Sequence, residues 1–321
     1  MIRPYEQRFP WNLDWNLLRT FMVVVDQGGI TRAAEFLGVK QPTISSALKR
    51  LEDTVGQKLL IRRPRSSSVT EAGRVLYKEC STVFGTVSQI PDLLVDSKAS
   101  VSGHVTIVMT SHVVSPHFDS ALEEFNAIHP DATYSISISE SAEVLNRLRA
   151  NRATLGVCLM REGDPVLDAS VLFREFFAFY CGPSHRLFGK PNIKLSDLKG
   201  ESSISFQTET DAGPLHSVNQ LRERALLRPE IKGVSANLPE VRRMIVTGIG
   251  IGALPIHVAQ RDVDVGNLWR LPPYGNPPAV DVFFVTNRVR SFNPAEKALV
   301  SAVRDMIAAE PIGARTYQGR P

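Results

Sequence analysis

NLLRTFMVVVDQGGITRAAEFLGVKQPTISSALKRLEDTVGQKLLIRRPRSSSVTEAG, residues 16–73, decides how the amino-terminal part of the chain is read. From Trp15 to Asp26, apolar residues at 17, 18, 21, 22, 24 and 25 form a broad face at helical spacing, and Gln27-Gly28-Gly29 supplies residues that end helices. Thr31 is placed to cap a short second helix, Arg32 to Leu37, with Gly38 as the residue that takes positive φ after it. A third helix is expected from Gln41 to Thr54, with apolar positions at 44, 47, 48, 51 and 55 and Pro42 in its first turn. Two helices joined by the turn Gly38-Val39-Lys40 read either as a helix-turn-helix that inserts its second helix in a DNA groove or as an ordinary helical hairpin. The segment Leu59 to Thr70 favours the former, because two β-prone stretches flank a tip of Arg, Pro and Ser that suits a DNA-contacting wing.

Charge agrees with this reading. Residues 1–70 carry eleven Lys or Arg against six Asp or Glu, whereas the rest of the 321-residue chain is almost balanced, with 26 bases against 27 acids. A basic module on a near-neutral body is the layout of a nucleic-acid reader joined to something else, because phosphate neutralisation supplies most non-specific affinity.

The same stretch resembles the LysR family of bacterial transcription regulators over nearly all its length. The landmarks are Ala33-Ala34-x-x-Leu37, Gln41-Pro42-x-Ile44-Ser45, Arg50-Leu51-Glu52 and Thr70-x-Ala72-Gly73. The resemblance implies that Gln41, Pro42, Thr43, Ser45 and Ser46 face the groove, that Lys49 and Arg50 continue along the phosphates, and that Arg62 and Arg65 are wing cations. Thr31 and Arg32, at the start of the second helix, join these candidate DNA contacts. Ser46 stands where many members have Arg, so the bases read do not follow from the family, and Leu60 stands where Phe is common, a change that repacks the core.

Thr70 can also cap a helix beginning at Glu71, along which Leu76, Cys80, Val83, Val87, Ile90 and Leu94 make a heptad seam. Such a seam either packs within one chain or pairs two chains, and the LysR resemblance implies the pairing. Pro91 is expected to kink or end the helix near Ile90.

From Val101 the chain alternates strands and helices: His104 to Met109, Ser115 to Ile128, Thr133 to Ser139, Ala142 to Ala150 and Leu155 to Met160. The rhythm returns from Val171 to Val285, and a last helix is expected from Pro294 to Ala309. Alternation of this kind predicts an α/β fold with parallel strands. HVTIVMTS, FNAIHPDATYSI, FFAFYCGPSHRL and EVRRMIVTGIGIGALP are similar to LysR effector domains. They imply a two-lobed fold like a periplasmic binding protein. The expected organisation is an extension (1–12), a winged helix-turn-helix (13–70), a linker helix and hinge (71–100), and an effector domain (101–321). The lobes of that domain are 101–178 with 280–310, and 179–279. Thr110, Ser111 and His112 after the first strand, and Ser139 and Ser141 after the next, offer hydroxyls and helix-start amides to a carboxylate, or serve only as caps. Ser205, Phe206, Gln207 and Thr208 would face them from the other lobe.

Other chemistries find little support. Gly248-x-Gly250-x-Gly252 runs into Pro255 where a dinucleotide fingerprint needs a glycine opening a helix, so a tight turn beside a buried strand is expected. The histidines are scattered and the three cysteines far apart, without metal or dithiol spacing, and no Gly-x-Ser-x-Gly elbow is present. No catalytic residue, metal or cofactor is expected. A solute-binding protein or an unidentified enzyme is the alternative, but neither has a use for residues 13–71. No apolar run approaches membrane length, and the opening residues lack the order of a secretory signal, so a cytoplasmic protein is expected. Its partners would be an inverted-repeat operator in double-stranded DNA, a small effector such as a carboxylate, further copies of itself as a dimer or tetramer, and RNA polymerase as a candidate.

Overall fold

The computed structural model describes residues 13–63, 66–88, 90 and 101–318. The chain divides into two compact units, Met1–Pro91 and Asp92–Pro321.

In the first unit, helix α1 (Trp15–Asp26) is capped by the Asp14 side chain, which accepts from the Asn16 amide at 3.0 Å. Helix α2 spans Ile30–Leu37 with Gly29 as its N-cap, so Thr31 lies in the first turn and does not cap it. The reason is local. Gly28 (φ 69°) and Gly29 (φ 159°) turn the chain early enough for Ile30 to become helical and to pack against the core. Helix α3 (Gln41–Val55) buries Ile44, Leu48 and Leu51 against Leu17, Leu18, Phe21, Val24, Ala33 and Ala34. Strands β1 (Leu60–Arg63) and β2 (Ser66–Val69) form the antiparallel wing, with Arg62 opposite Ser67.

Helix α4 (Glu71–Ser88) starts where the Thr70 hydroxyl accepts from the Gly73 amide at 2.9 Å and donates to the Lys58 carbonyl at 2.7 Å. A Cβ on Gly73 would lie 2.3 Å from the Leu59 carbonyl oxygen, so the Thr70-x-Ala72-Gly73 landmark marks a helix pressed against the strand entering the wing. The heptad seam divides along α4. Leu76 and Cys80 pack into the core of this same unit with Tyr77 and Phe84, whereas Val87 and Ile90 are about half exposed. Pro91 and Leu94 lie outside the described residues, as does the extension 1–12.

The second unit is built on strands β3 (Gly103–Met109), β4 (Ala132–Ile138), β5 (Leu155–Leu159), β6 (Leu167–Cys181), β7 (Ser203–Phe206), β8 (Ile231–Ser235), β9 (Ile251–Pro255), β10 (Trp269–Arg270), β11 (Ala279–Asn287) and β12 (Thr316–Tyr317). Their order is β4-β3-β5-β11-β6-β9-β7-β8, with β10 and β12 also on β6. Neighbours within β4-β3-β5 and within β9-β7-β8 run parallel, while β11 and β9 pair antiparallel with β6.

The long strand β6 is the hinge of this architecture. Its first part, up to Phe176, pairs with β11 in one lobe, and Phe177–Tyr180 pairs with β9 in the other; the chain returns to the first lobe at Ala279. Phe173, Phe177, Phe179 and Tyr180 are buried along it, which explains the aromatic density of the sequence there. Helices α5 (Pro116–Ile128), α6 (Ser141–Arg149) and α10 (Pro294–Ala309) cover the first lobe. Helices α7 (His216–Arg224), α8 (Leu238–Val246) and α9 (Ile256–Asp264) cover the second. Asn293 and Glu296 form a reciprocal cap at the start of α10, which fixes that terminus where the sequence placed it. Gly248 (φ 77°) turns the chain after α8, and Gly252 lies within buried β9, so the glycine motif is a turn and strand.

Candidate functional site

Each unit carries a candidate site. In the first unit, burying Ile44, Leu48 and Leu51 on one side of α3 leaves Gln41, Pro42, Thr43, Ser46, Lys49 and Arg50 exposed, with Ser45 half-buried at the border. The helix begins without a side-chain cap, so the positive end of its dipole and the Gln41 amide remain available to an anion; Pro42 has no amide hydrogen, and the Thr43 amide donates to the Lys40 carbonyl at 3.0 Å. Thr31 and Arg32 are exposed on α2. Among the described residues, Arg32, Lys40 and Lys49 pair with no acid, whereas Arg50 reaches Asp14 at 3.4 Å. The Arg62 side chain and all of Arg65 lie outside the described residues.

Glu52, at the last position of the Arg-Leu-Glu landmark, is buried behind this surface. Its carboxylate accepts from the Leu59 and Leu60 amides at 2.9 and 3.4 Å and from Lys58 Nζ at 2.7 Å. Burial alone would raise its pKa, but the Lys58 bond and the two amides outweigh that and hold it below the ordinary carboxylate value. This residue ties α3 to β1, and so fixes the wing relative to the exposed helix face.

In the second unit, a narrow cavity of about 20 Å³, room for about one water, lies between the lobes. Thr110, His112 and Ser141 line it from the first lobe, and Phe206, Gln207 and Thr208 from the second. Ser111, Ser139 and Ser205 do not line it. Ser111 instead bridges the lobes: its hydroxyl accepts from the Leu238 amide at 2.9 Å and lies 3.5 Å from the Ala236 carbonyl. Ser205 donates to the Phe206 carbonyl at 2.8 Å, and the Ser139 amide donates to the Met109 carbonyl at 2.9 Å. Ser141 accepts from the Leu159 amide at 3.2 Å, which orients its hydroxyl beneath the start of α6. The sequence reading passed over Glu140, Leu159, Phe177, Leu215 and Ala236, which complete the lining. No Lys or Arg contributes to it.

Behind His112 stands a buried acid that the reading also missed. Glu175 on β6 is fully buried, with His112 Nε2 at 3.7 Å from Oε1 and His257 Nδ1 at 4.0 Å from Oε2. Burial lowers His112 to about 4, with His257 adding to the effect, and raises Glu175 well above the ordinary value. A lone acid inside the apolar run FREFFAFYC was the available signal. Among the described residues, no group of three or more His, Cys, Asp or Glu has metal-holding geometry, and no helix is long and apolar enough to cross a membrane. The buried thiols of Cys80 and Cys158 are pushed up to about 11 and about 12, which keeps them protonated.

Comparison with known proteins places both units. Residues 15–74 match the family described as bacterial regulatory helix-turn-helix protein, lysR family, and residues 98–308 match the LysR substrate binding domain. The chain belongs to the LysR family of transcriptional regulators. It is similar to the regulator CysL of Bacillus subtilis, 23% identical over 78% of this chain and 83% of that one. It is also similar to the regulator PtxR of Pseudomonas aeruginosa, 24% identical over 94% of this chain and 95% of that one. Its fold matches the crystal structure of the LysR-family regulator CbnR with a TM-score of 0.65 at 19% identity, covering 92% of this chain and 99% of that chain. As a LysR regulator the protein is a DNA-binding and effector-responsive transcription factor, not an enzyme.

Proposed function

We propose that this LysR regulator binds an inverted-repeat operator through Thr31, Arg32, Gln41, Pro42, Thr43, Ser45, Ser46, Lys49 and Arg50, with Arg62 and Arg65 reaching the backbone from the wing. The observation that carries the reading is the exposed polar face of α3, which begins uncapped and stands beside cations that no acid neutralises. Phosphates supply the missing partners, and Gln41 with Ser45 and Ser46 supplies groups for base edges. The relevant divisions are 13–70 for DNA binding, 71–100 as linker, and the lobes 101–178 with 280–310 and 179–279 around the pocket. Self-association into a dimer or tetramer would use the end of α4 and the residues just after it, where Val87 and Ile90 stay exposed. A cytoplasmic location follows from this task, and RNA polymerase is the partner through which a bound regulator would act.

The effector is a small molecule held by Thr110, His112, Ser141, Gln207 and Thr208. A crystal structure of the regulator LysG from Corynebacterium glutamicum, with a TM-score of 0.53 to this chain at 19% identity, contains the bound effector Arg. As the lobes part to admit it, a carboxylate would meet hydroxyls, an imidazole and the start of α6, with no Lys or Arg among the lining residues and with the acid Glu140 at the rim. The direct test is a thermal-shift screen of small carboxylates and amino acids on the full chain, followed by titration of any hit against Ser141→Ala. The reading expects a stabilising hit whose affinity drops in the variant. Unchanged affinity would remove Ser141 from the site.

A further inference from the structure

Five buried polar atoms without hydrogen-bond partners gather around the crossing strand: Thr110 Oγ1, His112 Nε2, both oxygens of Glu175 and His257 Nδ1. They come from separate parts of the domain. His112 follows β3 in the first lobe, Glu175 lies just before β6 passes between lobes at Phe176, and His257 is in the first turn of α9 on the second lobe. His257 also spans the lobes, because its Nε2 lies 3.1 Å from the Val114 carbonyl. Tyr317 closes the remaining side, its ring centroid 5.2 Å from that of His257 and its hydroxyl bonded to Ser115 and His117. Among the described residues no Lys or Arg comes within 4 Å of Glu175, and the adjacent Arg174 is held by Asp281.

The hydrogen positions follow from the partners. A carbonyl can only accept, so His257 carries its proton on Nε2, and its Nδ1 presents a lone pair to Glu175. A neutral histidine facing an ionised carboxylate would set acceptor against acceptor in a buried site. One proton in the Glu175–His257 pair, on the carboxyl or on the imidazole, removes that opposition, while at 4.0 Å the two atoms stand beyond hydrogen-bond length. We propose that His112, Glu175 and His257 form a proton-operated latch between the lobes, closed when the trio holds a single proton and released when it holds more or fewer.

Proton counting gives the latch its pH dependence. When the lobes part and the trio is solvated, ordinary values of about 6.5 for His and about 4.3 for Glu let it carry about one proton near pH 6.5, nearly two at about pH 5.5 and almost none above about pH 7.5. The closed trio holds one throughout this range, since burial opposes charge on His112 and ionisation of Glu175 alike. Closure is therefore best near pH 6.5. Its equilibrium constant falls about tenfold per pH unit above about pH 7.5, and about as steeply below about pH 5.5. The latch operates whether or not the neighbouring pocket holds a ligand, although a ligand touching His112 would feel the same protons.

The test uses spin labels on the full chain at D131C beside β4 in the first lobe and E230C beside β8 in the second, exposed positions at the two outer strands, while the native cysteines are buried. Interlobe distances are measured by double electron–electron resonance from pH 5 to pH 9. The wild-type background should show its largest closed fraction near pH 6.5 and open on either side. Glu175→Gln supplies a permanent donor and acceptor without a titratable proton, so it should abolish the alkaline opening and retain the acidic one. A wild-type distance distribution that does not change with pH would overturn the proposal, even if the variant failed to fold. Alkaline opening that persists in a folded Glu175→Gln protein would overturn it equally.

Discussion

The exposed face of α3 and the pocket between the lobes solve opposite problems with the same kinds of residue. On α3, hydroxyls, an amide and cations stand in solvent above a sealed apolar core, so leaving them unpaired costs little. In and behind the pocket, Thr110, His112 and Glu175 are buried with atoms that find no partner among the described residues, and each such atom carries a desolvation cost of about 1–3 kcal/mol. One surface awaits a polyanion by presenting charge outward. The other stores strain that a ligand or a proton can relieve. Substitutions should therefore act differently in the two places: on α3 they should change binding and leave stability alone, whereas around the pocket they should change stability first.

The largest departure from that contrast should come at Glu52, which lies beneath the DNA-binding face but is buried. Glu52→Ala removes the acceptor for the Leu59 and Leu60 amides, while the exposed Lys58 stays solvated, and should cost about 3 kcal/mol in denaturant unfolding of the first unit. Because the folded pKa of Glu52 is depressed, its stabilisation is complete above the unfolded value near 4.5 and is lost as pH falls through the folded value. An unfolding midpoint in the variant equal to that of the wild type would show that the wing does not depend on this anchor.

Next in size are the contacts of α3 itself. Gln41→Ala should lose about 1–3 kcal/mol of preference for one operator base pair, read by competition between duplexes. Lys49→Ala should weaken all duplexes alike and flatten the salt slope by about one unit. Neither should move the unfolding midpoint, since both side chains are exposed.

At the pocket, Glu175→Gln should raise thermal stability at pH 8, with the gap closing toward pH 5. The sign follows from the raised folded pKa of Glu175: the native state holds a proton that the unfolded state releases above about 4.5, so the acid contributes stability only at low pH. His112 acts in the other direction. Its folded value of about 4 gives stability that is present above 6.5 and lost between 6.5 and 4.

The two regions also differ in how far the sequence could announce them. Helices α1 and α3, the wing and the cap of α4 are written in adjacent residues: the helical periodicity and the Thr70 cap were legible to within a residue or two, whereas the Asp14 cap of α1 was passed over. The missed start of α2 shows the limit, since a threonine suited to capping lost to a glycine pair that turned the chain sooner. The start of α10 was legible for the same local reason, an Asn and a Glu capping each other. The pocket is not local. Its lining comes from the ends of β3, β5 and β7, the start of α6, the middle of β6 and isolated positions such as Leu215 and Ala236, which only the two-lobed topology brings together. Hydroxyls at strand ends could be nominated, but Ser111 proved to bridge the lobes at Leu238, and Glu175 was hidden in a strand that reads as pure core.

Helix α4 separates an effect on folding, at its start, from an effect on assembly, at its end. Leu76 lies in the core of its own unit and Val87 at the exposed end of the seam. Leu76→Ala should lower stability by about 2 kcal/mol with no change in oligomer mass. Val87→Asp should leave unfolding of the unit nearly unchanged and reduce the mass measured by sedimentation. A falling mass in both variants would show that the whole seam, and not only its outer half, joins the chains.

The central claim, that the exposed face of α3 with its wing reads operator DNA, is tested most directly by selecting bound duplexes from a random pool with the full-length protein at low and at physiological salt. The account predicts enrichment of an inverted repeat, affinity that falls steeply with salt, and loss of that enrichment in Gln41→Ala at one position of each half-site. A folded wild-type protein that enriches no sequence and binds no duplex at low salt would contradict it.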